Sequence, residues 1–72
     1  MAAVIPVVGT VVSFDDHVGL GLVRVADGRE WSFHCTRLVD GSRTVASGAT
    51  VIFEVVPGAP GRWEASALVK VV

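Results

Sequence analysis

Gly19-Leu20-Gly21-Leu22-Val23-Arg24-Val25-Ala26-Asp27-Gly28-Arg29-Glu30-Trp31-Ser32-Phe33-His34 is the stretch on which the fold turns. Two short apolar runs flank Ala26-Asp27-Gly28, which reads as the turn of a β-hairpin. The connection has two readings, and they give opposite faces, because a one-residue slip of register exchanges the inner and outer side chains. A two-residue Asp-Gly turn pairs Val23 with Ser32 and Arg24 with Trp31. A three-residue loop with Gly28 in left-handed backbone pairs Val23 with Trp31 and Arg24 with Glu30, joining apolar to apolar and cation to anion. The three-residue loop is therefore preferred. It sends Val23, Val25, Trp31 and Phe33 inward and leaves Leu20, Leu22, Ser32 and His34 on the opposite face. Gly19 and Gly21 remove side chains from the inner face, which permits the tight curvature of a small closed barrel.

The rest of the chain has the same character. Sixteen valines stand against four leucines and one lysine, a poor inventory for helices and a good one for strands. Gly and Pro divide the chain into five apolar runs, with strands expected near Val7 to Phe14, Gly19 to Val25, Arg29 to Cys35, Thr50 to Val56 and Trp63 to Val71. Val51, Phe53 and Val55 alternate with Ile52, Glu54 and Val56. Ala65, Ala67 and Val69 alternate with Glu64, Ser66 and Lys70, again with the period of a strand that buries one face. The expected fold is all-β: a five-stranded Greek-key barrel of the oligonucleotide/oligosaccharide-binding (OB) type.

Composition narrows the function. A chain of 72 residues has room for a single domain and excludes a two-domain enzyme. The lone Cys35 excludes an intramolecular disulfide and points to a reducing cytoplasm. No Lys or Arg precedes the apolar N-terminal stretch, as a signal peptide requires, and Asp15 and Asp16 end it short of the roughly 18 residues of a membrane span. Six basic against seven acidic groups create no strong positive field for nucleic acid. Residues 1–8 form an apolar arm in which Val4, Ile5, Val7 and Val8 need cover. Extension of the first strand over its own core is preferred to a dimer contact.

Several motifs resemble a bacterial cold-shock domain. They are Gly9-Thr10-Val11, Phe14, Gly19-Leu20-Gly21-Leu22-Val23, Asp27-Gly28, Phe33-His34, Gly41-Ser42-Arg43-Thr44, Gly48, Val51-Ile52-Phe53-Glu54 and Gly61 to Val71. The resemblance runs without a gap from Gly9 to Leu38 and covers nearly the whole chain. It implies a five-stranded barrel that binds single-stranded RNA or DNA by stacking bases on surface aromatics. The family's first ribonucleoprotein motif, K-G-F-G-F, stands here as Val18-Gly19-Leu20-Gly21-Leu22. The second, V-F-V-H-F, stands as Trp31-Ser32-Phe33-His34-Cys35. Leucine, serine and cysteine thus replace the stacking phenylalanines, and only His34 is retained. Val12-Ser13-Phe14 replaces K-W-F, Val18 replaces a lysine, and Ser42 stands where relatives often carry an aromatic.

Stacking is worth about 1–3 kcal/mol per base, so these replacements imply weakened binding. The candidate nucleic-acid contacts are Ser13, Leu20, Leu22, Ser32, His34 and the loop cations Arg37, Arg43 and Arg62. The alternative is a barrel reused for protein contact or homodimerisation, through Val12, Leu20, Leu22 or the N-terminal arm. Trp31 has inward parity and is expected in the core; Trp63 beside Arg62 is expected to pack the barrel end. A hydrolytic reading of Ser32 and His34 is disfavoured because i, i+2 side chains on a strand stand about 7 Å apart, so no enzyme is expected. A metal site is disfavoured because adjacent strand residues His34 and Cys35 face opposite ways. No cofactor is implied.

Overall fold

The computed structural model describes residues 6–58 and 60–71. Five strands follow one another: β1 (Val7–Asp15), β2 (Leu20–Arg24), β3 (Glu30–His34), β4 (Thr50–Pro57) and β5 (Trp63–Lys70), with a 3₁₀ turn at Cys35–Arg37. They close into an OB-type barrel in the order β1-β2-β3-β5-β4, with β4 pairing back onto β1. All pairs are antiparallel except β3 with β5, which is parallel. Of the expected arm, Val4 and Ile5 lie outside the described residues. Val7 and Val8 extend β1 along β4, pairing with Phe53 and Ile52; Val7 packs against the core as expected, whereas Val8 faces outward, is 61% exposed and lacks the expected cover.

The hairpin adopts the three-residue register. Val23 pairs with Trp31 and Arg24 with Glu30. Gly28 has φ +92° and donates its N–H to Val25 O at 2.9 Å, a conformation that a side chain would strain. Arg24 Nε donates to Glu30 Oε2 at 2.7 Å across the pair.

Inside the barrel, Val11, Val23, Phe33, Val51, Phe53, Ala65 and Leu68 are buried. Phe14 and Phe33 stack with centroids 5.9 Å apart. Gly21 pairs with both of them, and a Cβ there would come within 2.6 Å of Phe33 and 2.9 Å of Phe14. The missing side chain is what lets the two rings meet across β2. Trp31 is half-buried, edge-on to Phe53 at 6.0 Å, as its inward parity predicts.

Four other expectations need correction. Gly19 does not sit on the inner face of β2; it lies in the preceding turn with φ +70°. In β5 the alternation breaks, because Ala67 takes φ +52° and the register with β4 shifts there. This bulge adds one residue, so Leu68 points inward and Val69 outward. Strand β3 ends at His34, and Cys35 begins the 3₁₀ turn instead of continuing the pleat. Its Sγ therefore comes within 3.9 Å of His34 Nδ1 rather than facing away from it. Trp63 does not pack the barrel end: it is 61% exposed at the first position of β5, paired with Pro57.

Candidate nucleic-acid interface

Pairing across β1, β2 and β3 places the candidate strand residues in two outward rows. Ser13, Leu22 and Ser32 form one row; Asp15, Leu20 and His34 form the next. A bulge between Val11 and Ser13 produces this alignment, since it half-buries Val12 and turns Ser13 outward beside Leu22. Leu20 is 51% exposed, and Val18, in the turn before it, is also exposed. The face thus carries two leucines bordered by hydroxyls, an imidazole and a carboxylate. It offers apolar contact and hydrogen bonding, and its aromatic plane is the small imidazole of His34.

At the His34 end the rows run into a cleft of about 400 Å³. Its walls come from the β1–β2 turn (Asp16, His17, Val18, Gly19), from His34 to Thr36, and from Gly41, Ser42 and Arg43. The turn is held by Asp15, whose side chain accepts from His17 N at 2.9 Å and whose carbonyl accepts from Gly19 N at 2.8 Å. His34 caps the 3₁₀ turn: its Nδ1 accepts from Thr36 N at 3.3 Å and lies 3.0 Å from Thr36 Oγ1. In the neutral ring the accepting Nδ1 leaves the proton on Nε2. That nitrogen lies by Gly19, 3.4 Å from where a Cβ would stand, so the imidazole presents a donor at the cleft.

The loop that carries Arg43 is tied down by groups the sequence did not single out for this role. Thr44 Oγ1 donates to Asp16 Oδ1 at 2.7 Å, joining the two lips of the cleft. Lys70 Nζ donates to Ser42 Oγ at 2.8 Å and to Thr44 O at 3.1 Å, and lies 3.3 Å from Asp40. Asp40 accepts from both the hydroxyl and the amide of Ser42, and these bonds together with Lys70 pull its pKa from 3.8 to about 2. Contacts between Asp16 and Thr44, or between Ser42 and Lys70, each span 28 residues and leave no spacing signal. Only the turn-forming Asp15-Asp16 and Gly41-Ser42 were visible as local chemistry.

The three loop cations are not brought together. Arg43 lines the cleft; Arg37 closes the 3₁₀ turn and is exposed; Arg62 lies before β5, near the opposite end of the barrel. Arg24, Arg29 and Lys70 form ion pairs with Glu30, Asp27 and Asp40, whereas Arg37, Arg43 and Arg62 form none among the described residues. Asp27 is held below its ordinary pKa chiefly by the Arg29 amide, with the guanidinium adding to the effect. Ser32 and His34 share a face but fall in different rows. No cluster of three His, Cys, Asp or Glu side chains suited to a metal occurs among the described residues.

The sequence reading overlooked a second exposed surface. Val8, Ile52 and Val69 line up across β1, β4 and β5, pairing directly with one another on the far side of the barrel. The chain matches no protein-family model and no curated protein at a significant level of similarity. No helix among the described residues is long and apolar enough to cross a membrane.

Proposed function

We propose that this protein is a divergent cold-shock-type domain that binds single-stranded RNA or DNA weakly and is not an enzyme. The supporting observation is the convergence of His34 and Arg43 on one cleft at the end of the Leu20 and Leu22 rows, on an OB-type barrel. In this reading the leucines contact base faces, Ser13 and Ser32 contact base edges, the His34 Nε2 donor and Arg43 take a phosphate, and Arg37 and Arg62 add to the field. Affinity is low because leucine gives less contact than a stacked ring and because the net charge of −1 supplies little attraction. The unpaired thiol of Cys35 supports a cytoplasmic location.

The test is fluorescence anisotropy of a labelled single-stranded oligonucleotide at about 50 and 200 mM salt. Saturable, salt-sensitive binding at micromolar protein is expected, with Arg43→Ala lowering both the affinity and the salt slope. Absence of binding at both salts rejects the proposal. The exposed aliphatic row of Val8, Ile52 and Val69 favours homodimerisation as the second reading, through that row rather than Val12, which its bulge half-buries. Sedimentation of the unmodified chain at rising concentration reads it directly.

A further inference from the structure

Trp63 is the largest side chain that the barrel leaves in water, and it is held in place. It pairs with Pro57 at the mouth of the β4–β5 connection, where Gly58 N donates to Arg62 O at 3.0 Å. The adjoining Glu64 has a half-buried side chain that lies against Gly58 rather than over the indole. Arg62, next in sequence, is exposed and makes no ion pair among the described residues. The other tryptophan differs in each respect: Trp31 is half-buried, packed on Phe53, and covered by the Arg29 guanidinium 5.1 Å from its ring centroid.

From this contrast we infer that Arg62 and Trp63 form a stacking site for one base of a single strand, with Arg62 on the adjacent phosphate. This rests on the proposed nucleic-acid function and extends its surface. The parallel pairing of Ser32 with Glu64 continues the Ser13–Leu22–Ser32 row onto β5 at Glu64, and Trp63, one residue earlier and of opposite parity, stands at the barrel end beside that row. A strand that enters at the His34 and Arg43 cleft and follows the outward rows passes Glu64 and turns onto the barrel end to reach Trp63. Along β2 and β3 the outward rows carry only the His34 ring, while the indole of Trp63 stands at their margin with a free cation beside it, as base and phosphate require. A purely apolar partner would have no use for that cation.

The experiment uses the full chain and a single-stranded thymidine heptamer. Anisotropy of the labelled heptamer gives the affinity of the unmodified protein, of Trp63→Ala and of Trp63→Phe. We expect Trp63→Ala to weaken binding about fivefold or more and Trp63→Phe to recover most of the loss, with no change in melting temperature. In a Trp31→Phe background, the emission of Trp63 should be quenched in step with the anisotropy. Should Trp31→Phe fail to fold, the affinity comparison stands without it, because it leaves Trp31 intact. Binding with unchanged Trp63 emission, or with equal affinity for Trp63→Ala, overturns this site alone. No binding by the unmodified protein overturns both this site and the function on which it rests.

Discussion

The two outer sides of this barrel both expose large apolar side chains and end up chemically different. On β1, β2 and β3 the exposed Leu20 and Leu22 are interleaved with Ser13, Asp15, Ser32 and His34 and lead into a cleft holding Arg43. On β1, β4 and β5 the row of Val8, Ile52 and Val69 is unbroken. The first side can satisfy hydrogen-bonding groups of a ligand along its apolar rows; the Val8, Ile52 and Val69 row itself offers only area, with polar groups confined to its flanks at Thr10 and Thr50, which suits an apolar counterpart. Strand β1 serves both sides because its bulge at Val12 changes which residues face out. The lesson is that hydropathy alone does not separate a nucleic-acid surface from a self-association surface. The polar residues between the apolar ones do.

The strongest way to break the comparison is to remove the core that both sides share. Phe33→Ala should cost about 3–5 kcal/mol, comparable with the whole stability of so small a domain, and abolish the cooperative thermal melt seen by circular dichroism. Both functions should then disappear together. To sharpen the first side, Leu20→Phe with Ser32→Phe restores two planes to adjacent rows. Each added stack is worth about 1–3 kcal/mol, so oligonucleotide affinity in anisotropy should rise at least fivefold.

A matched pair of charge insertions separates the sides directly. Leu22→Glu should weaken oligonucleotide binding about fivefold or more through repulsion of phosphate, while Ile52→Glu should leave it within about twofold. If the chain self-associates, sedimentation should respond in the opposite order, with Ile52→Glu shifting it to monomer.

The smallest effect is on pH dependence. Asp40 has its pKa lowered to about 2 in the folded chain, against 3.8 ordinarily, so its contribution is complete above pH about 4 and is lost as pH falls toward about 2. Asp40→Asn should therefore slightly flatten the fall in melting temperature over that acid range, and leave neutral-pH binding nearly unchanged.

Much of the fold was legible because the deciding signals are local. The pairing of Val23 with Trp31 and of Arg24 with Glu30 followed from matching neighbours across a three-residue loop, and Gly21 marked a close approach. What escaped was decided by backbone detail or by distant contacts. A bulge at Ala67, a residue with no preference for left-handed backbone, turned Val69 outward and completed the aliphatic row. A 3₁₀ turn brought Cys35 beside His34. The 61% exposure of Trp63 is set by its tertiary surroundings, which parity along a strand does not encode. Of the expected interface, Leu20, Leu22, Ser13, Ser32 and His34 share the face and Arg43 joins its cleft, whereas Arg37 lines no wall of it and Arg62 stands at the other end. The Asp16–Thr44 and Lys70–Ser42 bonds that fix the cleft join residues far apart in sequence.

The most direct test of the central claim is backbone-amide chemical-shift mapping of the labelled protein during titration with a single-stranded thymidine heptamer. The account predicts shifts concentrated at Ser13, Leu20, Leu22, Ser32, His34 and Arg43, with Val8, Ile52 and Val69 silent. Shifts confined to the aliphatic row, or no shifts at saturating oligonucleotide, would contradict it.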